Sequence, residues 1–84
     1  MFRIYDLRLA TPASLTRAVA RILDSEAVAS CAVEPEIRRV RFIARRRSAD
    51  ALVHGIYAEG GLTWCSRHDW RPLGHEEAAA LETP

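Results

Sequence analysis

Ala27-Val28-Ala29-Ser30-Cys31-Ala32-Val33-Glu34-Pro35-Glu36-Ile37-Arg38-Arg39-Val40-Arg41-Phe42-Ile43-Ala44-Arg45 is the stretch whose reading decides the fold. Its first seven residues are small and partly β-branched, which predicts a weak strand. Glu34-Pro35-Glu36 then interrupts the ladder, because proline has no N–H to donate. From Arg38 to Arg45 the residues alternate, with Val40, Phe42 and Ala44 on one face and Arg39, Arg41, Ile43 and Arg45 on the other. Two adjoining strands across a short turn predict a hairpin at the centre of the chain.

The segments on either side mirror each other. Upstream, Phe2 to Leu9 alternates with Tyr5, Leu7 and Leu9 on a dry face and Asp6 and Arg8 on a wet one, so it reads as a strand. Thr11 followed by Pro12 predicts a helix start, since threonine caps free N–H groups and proline suits the first helical position. Leu15, Ala18, Val19, Ile22 and Leu23 then recur at helical spacing, which predicts an amphipathic helix ending near Glu26. Downstream, Ser48 is the expected N-cap of a second helix. Ala49, Leu52, Val53, Ile56 and Tyr57 form its apolar face, and Gly60-Gly61 stops it. Gly55 inside that helix points to close packing on the sheet. A hairpin over Val53 to Ser66, turning at Gly60-Gly61, is the alternative. Leu62 to Trp70 is the last strand, closed by Arg71-Pro72. Residues 72–84 form a tail expected to make two helical turns or to fray.

Two strand-helix-strand halves joined by a tight turn predict a single α+β domain over residues 1–71. The element order β-α-β-β-α-β resembles the ferredoxin-like two-layer sandwich, which implies an antiparallel sheet ordered 4-1-3-2 with both helices on one face. The likeness is one of element order and not of any motif, and this fold hosts many unrelated functions. The expected core is Leu7, Leu15, Val19, Ile22, Val40, Phe42, Val53 and Ile56.

Composition narrows the class further. With 84 residues there is room for one core, and 49% hydrophobic with 27% charged residues is ordinary globular composition. Every basic residue is arginine, and Lys, Asn and Gln are absent. Codons for those three are AT-rich, so their absence reads as the bias of a GC-rich, bacterial genome. No apolar run approaches the ~20 residues of a membrane span, and the start lacks a secretory layout, so a soluble, cytoplasmic protein is expected. A formal net charge of +1 leaves only local patches to attract polyanions.

The candidate surface is Arg8, Arg39, Arg41 and Arg45 on the sheet face away from the helices, beside Trp64, Arg67, His68 and Trp70 of the last strand. Clustered guanidinium groups can hold phosphates or a carboxylate-rich partner. The plainer reading is a solvated face balanced by Asp6, Glu34 and Glu36. Trp64, Ser66, His68 and Trp70 fall on one side of the last strand, and Cys65, Arg67 and Asp69 on the other. Two tryptophans near arginines match the composition of protein interface cores, unless they pack on the second helix. Ile4-Tyr5-Asp6-Leu7 resembles the first-strand signature of RNA-recognition domains. Arg41-Phe42-Ile43-Ala44 lacks the matching second signature, however, and Tyr5 and Phe42 fall on the core face.

Ser66, His68 and Asp69 lack the geometry of a hydrolase triad, and Cys65 and His68 with His54 or His75 make no closed metal-ligand set. No metal or cofactor is therefore expected, and Cys31 and Cys65 on opposite edge strands are expected to be free thiols. The reading that results is a non-catalytic binding or regulatory module that contacts a protein partner, or a second copy of itself, through its open sheet face or last strand. Small inhibitors of host protein complexes encoded by phages or mobile elements share this character. The alternatives are a nucleic-acid or phosphate-ligand binder using the arginine face, and a small enzyme completed across a homodimer with His68, Arg67 or Cys65.

Overall fold

A computed structural model describes residues 1–70, with only the backbone of Trp70. The elements run β1 (Phe2–Leu9), α1 (Pro12–Leu23), β2 (Val28–Glu34), a 3-10 turn (Pro35–Ile37), β3 (Arg39–Arg45), α2 (Arg46–Glu59) and β4 (Leu62–Trp70). All strand pairs are antiparallel, and the sheet order is β2-β3-β1-β4. This is the α+β ferredoxin-like arrangement that the element order implies. The tail expected over 72–84, its acidic residues and the domain end at residue 71 lie outside the described residues.

α1 begins where Thr11-Pro12 places it. The Thr11 hydroxyl accepts from the Ser14 N–H at 3.0 Å, and the Ser14 hydroxyl accepts from the Thr11 N–H at 3.0 Å, which satisfies two orphan donors reciprocally. It ends at Leu23, earlier than the periodicity suggests: Asp24 makes the last i→i−4 bond, to Ala20, and the Ser25 N–H already turns to Ile22, three residues back. α2 departs from expectation at its start. β3 passes into the helix at Arg46 without a loop, so Ser48 lies inside the first turn and Arg45 occupies the cap position with no side-chain cap. Gly60 and Gly61 end α2 at φ +88° and +93°, a region that non-glycine residues enter at a cost. Helix runs through Val53–Glu59, so the alternative hairpin over Val53 to Ser66 is not formed.

The core lies between the helices and the odd-numbered face of β1. Tyr5, Leu7, Leu9, Leu15, Ala18, Ile22, Val40, Phe42, Ala44, Ala49 and Ile56 are buried. Val19 and Val53, expected among them, are only partly buried at its margin. Tyr5 and Phe42 face each other across β1 and β3, with ring centroids 5.7 Å apart. Gly55 packs differently from expectation: a Cβ there would meet Arg21 Nη1 of α1 at 2.7 Å, so the close approach is between the helices and not onto the sheet. Arg21 extends over this position to pair with Glu59.

Candidate functional site

The sheet face away from the helices is read from the ladder register, since residues directly opposite share a face. Across the strands from β2 to β4, one row is Glu34, Arg39, Arg8 and Trp64. The next is Ala32, Arg41, Asp6 and Ser66, and the third is Ser30, Ile43, Ile4 and His68. Arg45 and Phe2 continue the pattern toward Trp70, whose side-chain placement lies outside the described residues. The register thus brings Arg8, Arg39, Arg41, Arg45, Trp64 and His68 onto one surface. Arg67 does not join them. It stands opposite Tyr5 on the helix side, with Cys65 and Asp69 as its strand neighbours there.

The arginines on this face are unequal in their charge partners. Asp6 is 4% exposed although it faces away from the helices, because guanidinium groups close over it. Its Oδ1 accepts from Arg39 Nε at 3.1 Å, and its Oδ2 accepts from Arg41 Nε at 3.1 Å and Nη2 at 2.9 Å. Arg39 also reaches Glu34 at 3.4 Å. Burial acts to raise the Asp6 pKa. The hydrogen bonds from Arg41 and Arg39 outweigh it and hold the carboxyl below its ordinary value. The plainer expectation, that Asp6 and Glu34 balance the cluster, therefore describes Arg39 and Arg41. Glu36 makes no ion pair among the described residues.

Arg8 and Arg45 are placed differently. The Arg8 guanidinium carbon lies 5.7 Å from the Trp64 ring centroid, a cation–π arrangement. Trp64 remains 48% exposed and faces away from the helices, so it does not pack on α2. Arg45 has no carboxylate within ion-pair distance among the described residues. Half-buried Ile4 and Ile43 lie side by side in the middle of the same face.

A second polar cluster, missed by sequence reasoning, lies under the helix layer. Arg3 donates from Nη1 to both Asp50 oxygens at 2.8 Å and from Nε to Asp69 at 2.8 Å. The Tyr5 hydroxyl donates to Asp50 at 2.6 Å. Burial pushes the Tyr5 phenol above its ordinary pKa, reinforced by Asp50, while the Tyr5 and Arg3 hydrogen bonds draw Asp50 below its own. These contacts tie β1, α2 and β4 together. Beside them an open cleft of about 400 Å³ is lined by His54, Tyr57, Cys65 and Arg67.

Cys65 and Arg67 lie on the helix side and His68 on the opposite face, so the three do not converge as a catalytic set. Among the described residues, no three of His, Cys, Asp or Glu are grouped to hold a metal. Cys31 and Cys65 lie on the two edge strands of the sheet, and burial raises the pKa of each thiol. No described helix is long and apolar enough to cross a membrane. No protein-family model matches the chain, and no curated protein matches it.

Proposed function

We propose that this domain is a non-catalytic binding module that docks an acidic protein surface on its open sheet face, with Trp64 as the anchor. The observation carrying this reading is the Arg8–Trp64 pair: a large aromatic ring, half exposed, braced by a cation and on the same sheet face as half-buried Ile4 and Ile43. Such a ring loses little conformational freedom on binding, and interface energy concentrates on anchors of this type. The arginine arrangement favours protein over nucleic acid. Arg39 and Arg41 are paired with Asp6, so less of the cluster's charge is uncompensated than the sequence suggests. The aromatic platform that single-stranded RNA needs is also thin on the central strands: Tyr5 and Phe42 stack in the core, which leaves Phe2 at the end of β1 on the open face.

Retrieval of the tagged protein from its host, with and without nuclease, tests the proposal when the Trp64→Ala variant is run in parallel. A stoichiometric polypeptide that resists nuclease and is lost with Trp64→Ala supports it. Nuclease-sensitive material retained by Trp64→Ala contradicts it.

A further inference from the structure

We infer that β2 is a self-pairing edge and that two copies join there, about a two-fold axis at Ala32, into one eight-stranded sheet. The contact lies on the edge of the sheet opposite β4, and it goes beyond the docking role proposed for Trp64. Sheet edges are normally blunted with charge, and β2 is not. Although 27% of the chain is charged, no charged residue falls between Val28 and Val33. Among the described residues, no strand pairs with the outer side of β2. Apolar surface is left bare along it, since Val33 is 40% exposed and Leu23, where α1 ends beside the strand, is 67% exposed.

The register follows from where the strand is regular. Its ladder with β3 is broken between Val28 and Ser30, and Pro35 follows Glu34 with no N–H to donate, so Ser30 to Glu34 is the segment able to receive a strand. A two-fold pairing that keeps the faces continuous must set its axis on a residue, so that each side chain meets one from the same face. Ala32 is the residue that centres the axis on this segment. It pairs Ser30 with Glu34, Cys31 with Val33 and Ala32 with itself, every partner being among the described residues. The two Glu34 carboxylates then lie at opposite ends of the new ladder, each facing a Ser30 hydroxyl, so no like charges are opposed. On the helix side the same register joins a knob to a hole. An open cleft of about 240 Å³ beside the end of α1 is lined by Leu23, Val28, Ser30 and Cys31, and no charged side chain forms its walls. Val33 shares that side, since it pairs with buried Val40, but it stands outside the cleft. Inversion about Ala32 sets Val33 of each copy opposite Cys31 of the other, at the mouth of the cleft. Knob and hole thus lie on one edge in an order that an identical partner satisfies twice.

Sedimentation analysis of the full chain up to about 100 μM, a range that detects weak association, tests the inference. Wild type should dimerise, and Trp64→Ala should dimerise equally well. Ala32→Glu opposes two carboxylates at the axis, and Val33→Glu puts one into each apolar cleft, so each should weaken association about tenfold or more. Both positions are exposed in the single copy, and circular dichroism checks that each variant keeps its fold. In a Cys31→Ala/Cys65→Ser chain, Ala32→Cys should cross-link to its own copy under mild oxidation. Ala29→Cys, on the same edge but away from the axis, should not. A monomeric wild type, undiminished association of Ala32→Glu or Val33→Glu, or cross-linking of Ala29→Cys as fast as Ala32→Cys overturns the self-pairing. A monomer that still retrieves its polypeptide through Trp64 removes the self-pairing alone, whereas a dimer that retrieves none removes the docking function.

Discussion

Arg41 grips the buried carboxylate of Asp6 through two nitrogens, Nε at 3.1 Å and Nη2 at 2.9 Å, across the β1–β3 ladder. A charge buried on the outer face of a sheet is stable only when its partners stay in place, so the arginines close the sheet surface as well as charging it.

Asp6→Asn should therefore destabilise the domain by about 2 kcal/mol at pH 7, since it weakens charge-assisted hydrogen bonds and leaves Arg39 and Arg41 side by side. The pH dependence has a definite sign. The folded pKa of Asp6 is lowered, so its contribution is present above the unfolded carboxyl pKa of about 3.9 and is lost as pH falls through the folded value. Urea unfolding at pH 7 and pH 3 should show wild type converging on the variant in acid. A gap that stays constant with pH would contradict the account.

Phe42 has no exposed surface and stacks on Tyr5. Phe42→Ala should cost about 3 to 5 kcal/mol, enough to unfold a marginal domain. An unchanged melting temperature would show that this ring does not anchor the core.

Tyr5→Phe should cost about 1 kcal/mol by leaving the Asp50 carboxylate one donor short. The Tyr5 phenol has a raised folded pKa, so its contribution is present below the unfolded value and is lost as pH rises through the folded one. Absorbance titration in a Tyr57→Phe background should show ionisation above the ordinary tyrosine value. Ionisation at the ordinary value would remove the Tyr5–Asp50 contact from solution.

Two glycines should respond oppositely to alanine. Gly61→Ala forces a side chain into φ +93° with its Cβ 2.6 Å from Ser14 Cβ, and should destabilise by at least ~1 kcal/mol. Gly55→Ala meets only the movable end of Arg21 and gains helix propensity, so stability should hold within ~0.5 kcal/mol or rise. Thermal melts of the two variants check the order.

Alternation alone makes the faces of β1, β3 and β4 legible in the sequence, and Thr11-Pro12 and Gly60-Gly61 punctuate the helices through purely local chemistry. The start of α2 is hidden because Ser48 looks like a cap, while the chain enters the helix directly from β3. Asp6 reads as a solvated residue until the register sets Arg41 opposite it and Arg39 two positions along on the same face. The role of Arg3 is equally invisible, since its partners Asp50 and Asp69 lie 47 and 66 residues away in sequence. Trp64 and Arg8 could be placed on one face by pattern, but their contact requires β4 to pair with β1.

The most direct test of the central claim is the affinity of the retrieved polypeptide for Trp64→Ala compared with Arg45→Ala, both measured over a range of salt. The account predicts that Trp64→Ala removes about 2 kcal/mol or more through faster dissociation. Arg45→Ala should mainly slow association and flatten its salt dependence. A larger loss with Arg45→Ala than with Trp64→Ala would contradict the claim and make this a charge-reading surface.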